Sequence, residues 1–276
     1  MNYKYIKSFL SNLEENRKSS FSTRNQRLAA IHAFSKFVGL NSPEHITWYQ
    51  EIHNIPFKKA KNRLINYLEK DEMDALLNAP DRKTSQGKRD YALLLFLYNT
   101  GARADELANL TIADLNIDSN KNNLHTVLIR GKGGKERRCP LWQHTVTELC
   151  SLISKRGQND HVFINRCNQP ITRFGIYAMV RRYVEKIAEK LPEIKRKRTS
   201  PHTIRHTAAT HLLRAGVDIN TIRVWLGHVS INTTNIYAEI DLDMKAKALA
   251  CCEIQKNKKQ SHWRDNKELM RFLNSI

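Results

Sequence analysis

The sequence predicts a mainly α-helical fold with one small antiparallel β-sheet, an α+β arrangement. Apolar residues at helical spacing, with cap residues before them, recur along most of the chain. The run YALLLFLY at Tyr91–Tyr98 is apolar on every side, which indicates a central buried helix. The stretch Leu124–Pro140 instead alternates apolar and polar residues around a glycine-rich turn, which is typical of a β-hairpin.

The N-terminal sixty residues predict two helices and a linker. The first helix covers Tyr3–Leu13, and Ser22 or Thr23 would cap the second. The apolar residues of the second helix recur at helical spacing and are Leu28, Ile31, Phe34 and Phe37. The basic segment Ile55–Ile65 is interpreted as a linker, with a solvated connection and direct DNA contact as equal alternatives.

The middle of the chain predicts helices separated by short connections. A helix starts near Asp71 and stops before Pro80, and a polar loop covers Lys83–Lys88. Gly87-Lys88 does not form a phosphate-binding loop, because arginines replace the first glycine and the final Ser or Thr of that motif. Gly101 ends the central helix, and Arg103 starts the next one.

Two amphipathic helices follow the hairpin, at Trp142–Ser154 and Arg173–Lys190, with a short extended piece at Val162–Ile164 between them. The charge run Lys195–Arg198 is either a solvated loop or a phosphate contact.

Three short helices are predicted over Ser200–Tyr237. Ser200 caps the first, Pro201 occupies its first turn, and Gly216 ends it. The second helix covers Ile219–Leu226 and ends at Gly227. The third begins with Asn232 or Thr233 as its cap and carries Tyr237. Farther on, helices are predicted at Asp241–Ile254 and Asn266–Leu273, joined by a polar linker at Lys256–Gln260.

The composition indicates a polyanionic partner. Lys and Arg number 46 against 27 acidic residues, which gives the 276-residue chain a formal charge of +19, and the pI is about 9.8. Nucleic acid with salt-sensitive binding is the simplest such partner. No apolar run reaches membrane-spanning length, and five cysteines without C-x-x-C spacing favour a reduced cytoplasm over a disulfide or zinc framework.

The predicted helices carry a set of side chains suited to a phosphodiester. His202 and Arg205 are three residues apart and share a helical face. His228 directly follows Gly227, and Tyr237 lies nine residues later. Arginine binds negative charge, histidine moves protons or donates hydrogen bonds, and tyrosine can act as a nucleophile.

In these residues the chain resembles the tyrosine recombinase, or phage integrase, family. The resemblance rests on five pieces in the order and approximate spacing of the family, which are TGARADEL at Thr100–Leu107, GKGGKER at Gly131–Arg137, His202-x-x-Arg205, Leu226-Gly227-His228, and Tyr237. Each piece alone is weak, but the combination is specific.

The resemblance implies a domain organisation. A catalytic domain would cover residues 63–255, after a helical, SAM-like core-binding domain at 1–62. That domain is shorter than usual in the family, so we expect either a compact variant or a chain truncated at its N-terminus. A tail helix at 256–276 would pack onto a neighbouring subunit or back onto its own domain.

The resemblance also implies roles for the candidate residues. Tyr237 would attack the scissile phosphate, leaving a 3′-phosphotyrosyl link and a 5′-hydroxyl without metal, ATP or cofactor. The phosphate would be bound by Arg103, Arg205 and His228. His202 would accept the proton of Tyr237, and Lys132 would be the general acid, with Lys135 as its fallback. Glu106 would brace the site, and Trp225 would lie either near the phosphate or in the core. His202 and His206 have the spacing of a zinc pair, but no Glu lies between them and no third ligand is evident.

Three functions remain open at this point. The first is a site-specific recombinase or integrase that works as a homotetramer on two double-stranded DNA sites at the bacterial nucleoid. Its biological role is transposition, phage integration, resolution of plasmid or chromosome dimers, or inversion, and the resemblance favours a mobile element. The second is a type IB topoisomerase-like enzyme with the same nucleophile. The third is a truncated DNA-binding protein without full recombination activity.

Overall fold

The structure is a computed structural model, and it describes residues 3–59, 66–117, 124–131, 133–154 and 156–227. Over these ranges the chain is mainly helical with one three-stranded antiparallel sheet, so the predicted fold class is confirmed. The chain divides into two compact units, with the boundary between residues 64 and 65. The domain limits at 62 and 255 stay predictions, and the helices expected after Gly227 lie outside the described residues. Over the described ranges, no helix is both long and apolar enough to cross a bilayer.

The first unit contains three α-helices in its described part and a single 3₁₀ turn at Pro43–His45. The helices are α1 (Tyr3–Glu15), α2 (Phe21–Asn41) and α3 (Ile46–His53). The predicted cap of α2 at Ser22 or Thr23 is wrong. Ser20 is the last residue in an extended conformation, and its Oγ accepts a hydrogen bond from the Thr23 amide at 3.2 Å.

A small apolar core holds the first unit together, and it consists of Ile6, Leu10, Leu13, Leu28, Ile52 and Ile55. Glu14 on α1 forms ion pairs with Arg24 at 2.8 Å and with Lys58 at 2.5 Å, which ties the segment after α3 to α1 and α2. Phe34 and Phe37, although at helical spacing with Leu28, are exposed on α2.

The second unit contains most of the helices and the sheet. Its described helices are α4 (Lys70–Leu77), α5 (Ser85–Thr100), α6 (Ala104–Ala108), α7 (Gln143–Ile153), α8 (Arg173–Ile187), α9 (Glu193–Arg196), α10 (Pro201–Arg214) and α11 (Ile219–Leu226). Its strands are β1 (Leu115–Asn116), β2 (Thr126–Arg130) and β3 (Glu136–Pro140). They pair in the order β1-β2-β3, with Val127 opposite Cys139.

Helix α5 passes through the core, as its apolar sequence predicts, and Leu93, Leu94 and Phe96 are fully buried. The predicted loop at Lys83–Lys88 is wrong in its second half, because α5 already begins at Ser85. Thr84 caps it by accepting a hydrogen bond from the Gly87 amide at 2.9 Å. A Cβ at Gly87 would lie 1.8 Å from the carbonyl oxygen of Asp81, so this tight start requires glycine.

Helices α5 and α11 end at the predicted glycines. Gly101 ends α5 with φ +61°, and Gly227 ends α11 with φ +65°. Ser200 caps α10 by accepting a hydrogen bond from the Thr203 amide.

The segment Val162–Ile164 was expected to be extended. Isolated β-bridges occur at its two ends, between Thr111 and His161 and between Ile164 and Pro170.

Candidate active site

Arg205 is the most buried candidate residue, with 1% of its surface exposed. Its Nη1 donates to the carbonyl oxygen of Gly101 at 2.6 Å, and its Nη2 donates to that of Leu226 at 2.5 Å. Arg205 therefore joins the C-terminal ends of α5 and α11 from its place on α10.

The two helix ends that Arg205 joins approach each other closely. A Cβ built at Gly101 would lie 2.5 Å from Cδ2 of Leu226, and Gly101 also has a left-handed φ. Only glycine satisfies both conditions, so the close approach depends on this position.

Arg103 stands at the start of α6 and is bound to Glu106. The Arg103 amide donates to Oε2 of Glu106 at 2.8 Å, and its Nη1 donates to Oε1 at 2.7 Å. The Arg103 side chain is 42% exposed, whereas that of Glu106 is 4% exposed. The buried carboxylate of Glu106 thus fixes the position of Arg103, while the Arg103 side chain stays partly exposed.

Arg137 on β3 completes this cluster, although its place in the sequence predicts no role for it. Its Nη2 and Nη1 donate to the two oxygens of Glu106 at 2.7 and 3.1 Å. Its Nε donates to the carbonyl oxygen of Trp225 at 2.9 Å. The available signal was strand alternation, because Arg137 lies two residues before the fully buried Cys139 and therefore shares its inward face.

The pKa values of Glu106 and His202 are shifted at this cluster. Burial alone would raise the pKa of Glu106, but hydrogen bonds from Arg137 and Arg103 and the charge of Arg137 lower it overall, so its carboxylate stays ionised. Partial desolvation of the imidazole, followed by the charges of Arg205 and Arg103, lowers the pKa of His202. A neutral His202 can accept a proton at neutral pH.

His202 lies on the first turn of α10 and reaches the surface. Its ring contacts that of His206 edge to face, with centroids 4.3 Å apart. No cluster of three His, Cys, Asp or Glu side chains that could hold a metal occurs over the described ranges.

The β2–β3 turn lies against the same carboxylate. A Cβ at Gly131 would lie 3.2 Å from Oε1 of Glu106, and the Gly131 amide donates to the carbonyl oxygen of Lys135 at 2.7 Å. The Lys135 side chain is exposed. Lys132, the predicted general acid, lies outside the described residues.

Trp225 is half-buried and packs against the apolar core, which is the core alternative of the sequence analysis. Its indole N–H is buried without a hydrogen-bond partner among residues 3–227 that the structure describes. Its backbone carbonyl oxygen, by contrast, accepts hydrogen bonds from Nε of Arg137 and, at 3.5 Å, from the thiol of Cys139.

The structure therefore brings several candidates into one region: Arg103, Glu106, His202, Arg205 and the backbone of Trp225. Of the remaining candidates, Lys135 lies at the β2–β3 turn, while Lys132, His228 and Tyr237 fall outside the described residues, so their roles stay predictions. Two arginines beside a neutral histidine can bind a phosphodiester and accept a proton.

Comparison with known proteins finds relatives over most of the chain. The model of the phage integrase family matches residues 66–260. A relative from Sinorhizobium fredii, y4rC, is 37% identical over 273 residues, covering 98% of this chain and 81% of the relative. Tyrosine recombinase XerD of Halalkalibacterium halodurans is 31% identical over 242 residues, covering 85% of this chain and 76% of the relative.

Two solved structures share the fold. The XerH site-specific recombinase bound to a palindromic difH substrate has a TM-score of 0.71 at 23% identity, covering 92% of this chain and 73% of that one. The Tn1549 transposon integrase in complex with transposon right end DNA has a TM-score of 0.71 at 19% identity, covering 92% and 85%. From its sequence pieces, its fold and these matches, this chain belongs to the phage integrase family and is a tyrosine recombinase.

Proposed function

We propose that this chain cuts and rejoins double-stranded DNA at specific sites through a covalent link to Tyr237. The observation that carries the proposal is that Arg205 binds the carbonyl oxygen of Gly101, two residues before Arg103, and lies on the same helix as His202. Arg205 is fixed by two backbone carbonyls, and Arg103 by the buried Glu106. The two guanidinium groups are therefore positioned before any substrate binds, which is the arrangement that stabilises developing charge on a phosphate.

In the proposed cleavage step, the phenolic oxygen of Tyr237 attacks the scissile phosphorus and transfers its proton to neutral His202. The bond from phosphorus to the 5′-oxygen breaks, and that oxygen takes a proton from Lys132, with Lys135 as the fallback donor. Arg103, Arg205 and His228 stabilise the extra negative charge of the pentacoordinate state.

The products are a 3′-phosphotyrosyl link and a free 5′-hydroxyl. The attack of a 5′-hydroxyl from the same or a partner strand reverses the chemistry, regenerates the tyrosine and rejoins the DNA. Because the covalent intermediate keeps the energy of the phosphodiester, the reaction needs no ATP, and because arginines supply the positive charge, it needs no metal.

We further propose that the chain acts as a homotetramer on two DNA sites in a bacterial cytoplasm, at the nucleoid, within a mobile element. The net charge of +19 supports binding to DNA. The XerH recombinase is bound to a difH substrate and the Tn1549 integrase to transposon right end DNA, which supports a comparable target here.

Covalent trapping tests the proposal. A duplex that wild-type protein selects from a random-sequence DNA pool is nicked next to the scissile position, incubated in EDTA, and run on a denaturing gel. We expect a slow, protease-sensitive band with wild type and none with Tyr237→Phe. Absence of the band with wild type would contradict phosphotyrosyl chemistry.

A second assay separates the recombinase from a topoisomerase-like enzyme. Joining of two labelled duplexes that carry the selected site supports strand exchange. Relaxation of a supercoiled plasmid that lacks the site, without such joining, would support the topoisomerase-like alternative instead. Retained gel-shift binding without either activity would support the DNA-binding alternative.

A further inference from the structure

Arg137 is a buried arginine whose contacts the proposed chemistry does not use. Its side chain is 8% exposed, and that of its partner Glu106 is 4% exposed. Burying an ion pair in this way contributes little to stability compared with apolar packing, because both charges lose their water. The arrangement therefore calls for a role other than stability.

The contacts of Arg137 join separate pieces of the site. Through Glu106 it is linked to Arg103, because Oε1 of the same carboxylate also accepts from Nη1 of Arg103 at 2.7 Å. Through Nε it is linked to the carbonyl oxygen of Trp225, at 2.9 Å. One planar guanidinium thus fixes the distance between the start of α6 and the end of α11.

The end of α11 is held by two arginines at once. Arg137 binds the Trp225 carbonyl, and Arg205 binds the next carbonyl, that of Leu226. Cations favour the C-terminal end of a helix, where these carbonyls carry partial negative charge. A Cβ at Gly227 would lie 3.2 Å from Cδ of Arg137, so Arg137 also packs against the residue that precedes His228 in the sequence.

The β2–β3 turn is held through the same cluster. Arg137 belongs to β3, where it pairs with Ile129 of β2, and Gly131 at the end of β2 lies beside Oε1 of Glu106. The residue after Gly131 in the sequence is Lys132. The bond between Arg137 and Glu106 therefore sets where this turn starts relative to Arg103.

We propose that Arg137 is a positioning residue for strand cleavage, which holds the β2–β3 turn and the end of α11 in register with Arg103 and Arg205. The inference rests on the proposed function. It assigns Arg137 no contact with DNA, since Nε, Nη1 and Nη2 of its guanidinium all donate hydrogen bonds to Glu106 or Trp225. It predicts that losing Arg137 slows the chemical step while DNA binding persists.

The test compares three variants of the full chain in the covalent-trapping assay. Arg137→Met keeps the length of the side chain but removes the charge and all three hydrogen bonds. Arg137→Lys keeps the charge but cannot span the carboxylate and the carbonyl together. Arg138→Met removes the same charge from the adjacent, exposed position of β3 and measures the cost of charge loss alone.

Single-turnover cleavage rates and gel-shift affinities are measured on the selected duplex for wild type and each variant. A displacement of about 1 Å in a catalytic group costs about 100-fold in rate, so we expect Arg137→Met to cleave about 100-fold more slowly than Arg138→Met. We expect the DNA affinities of these two variants to agree. Equal cleavage rates for Arg137→Met and Arg138→Met would overturn the proposal.

A modified substrate distinguishes positioning from general damage. A 5′-bridging phosphorothiolate has a sulfur leaving group, which departs as a thiolate and needs no proton donor, because thiols are far more acidic than alcohols (the cysteine thiol has a pKa of about 8.5). Recovery of Arg137→Met on this substrate would assign the defect to the β2–β3 turn. A rate loss that persists on the thiolate, with DNA affinity kept, would assign it to the end of α11. Equal loss of affinity and rate, with a non-native circular dichroism spectrum, would overturn positioning for that variant.

Two further controls keep the outcomes separate. If Arg137→Met does not fold, Arg137→Lys takes its place, and a wild-type cleavage rate for that variant would overturn the proposal. If wild type itself forms no covalent complex while Tyr237→Phe binds DNA equally well, the proposed function fails rather than the role of Arg137.

Discussion

Nη1 of Arg205 donates a hydrogen bond to the carbonyl oxygen of Gly101 at 2.6 Å, although 104 positions separate the two residues in sequence. Together with the bond from Nη2 to Leu226, this contact makes one side chain the junction of α5, α10 and α11. The charge proposed to bind the scissile phosphate is therefore part of the fold.

Arg205→Lys should damage both stability and chemistry. Lysine cannot reach two carbonyls in a fixed fork, so buried acceptors lose their partners, and we expect unfolding to become easier by about 2–4 kcal/mol. We expect cleavage to slow by about 100- to 1,000-fold, the usual cost of losing one preorganised donor. Urea unfolding and covalent trapping measure the two effects.

Arg214→Lys is the matched control, because Arg214 lies on the same helix and pairs with Glu69 at the surface. Surface ion pairs contribute about 0–1 kcal/mol, so this variant should stay near wild type. Equal unfolding free energies for the two variants would contradict the junction role of Arg205.

Gly101→Ala should be more destabilising than an ordinary glycine replacement. Both Gly101 and Gly216 have positive φ, at +61° and +87°, but a Cβ at Gly216 meets nothing within 4 Å, whereas one at Gly101 meets Leu226. Gly216→Ala should cost about 1–2 kcal/mol for backbone strain alone. Gly101→Ala should cost about 1–3 kcal/mol more, because the buried Leu226 must repack. Thermal unfolding of both variants checks the difference, and equal melting temperatures would contradict it.

Glu106→Gln should remove a pH-dependent part of the stability. The pKa of Glu106 in the folded chain is below its ordinary value of 4.5. Its contribution is therefore complete above pH 4.5 and is lost as the pH falls through the lowered value. Breaking the buried pair with Arg137 should cost about 3–5 kcal/mol at neutral pH. The difference between wild type and Glu106→Gln in urea unfolding should shrink below pH 4.5, and a constant difference would contradict the prediction.

His202 should titrate below its ordinary pKa of 6.5, since partial desolvation and the charges of Arg205 and Arg103 disfavour its protonated form. Histidine NMR titration of the Tyr237→Phe chain, with His202→Gln to identify the signal, measures this value. In an Arg103→Met background the pKa of His202 should rise, because one of the neighbouring charges is gone. An unchanged or lower value in that background would contradict the electrostatic coupling.

Thr207→Val should loosen the start of the second unit. The hydroxyl of Thr207 is buried on α10, accepts from the Leu68 amide at 2.9 Å and donates to the carbonyl oxygen of Thr203. Valine leaves the Leu68 amide without its partner, at a cost of about 1–3 kcal/mol. Thr147→Val, at an exposed position on α7, should change the stability by less than about 0.5 kcal/mol. Amide exchange at Leu68 should accelerate in the first variant only.

Much of the fold was predictable because it depends on local signals. The uniform apolar run of α5 and the glycines that end α5 and α11 act within a few residues, so the sequence shows them directly. The early start of α5 was missed because Thr84 caps it against a turn in which Gly87 packs on Asp81, and that contact is visible only in three dimensions.

The residue types of the candidate site were predictable from the sequence, but the contacts that hold these residues in place were not. Arg103, His202 and Arg205 stand out by residue type and spacing, whereas the bonds of Arg205 to Gly101 and Leu226 depend on how distant helix ends meet. Arg137 was hidden for the same reason. Strand alternation places Arg137 on the inward face of β3, but its bonds to Glu106 and Trp225 are visible only in three dimensions.

The burial of Arg205 bears on how such an enzyme can lose its activity over evolutionary time. Arg103 is partly exposed and can be replaced with little structural harm, so a lineage that retains only DNA binding can discard it early. Arg205 is less free to change, because its replacement leaves the buried carbonyl oxygens of Gly101 and Leu226 without their hydrogen-bond donor. A descendant without cleavage activity should thus still carry an arginine at position 205, and that residue alone is a poor indicator that a relative is active.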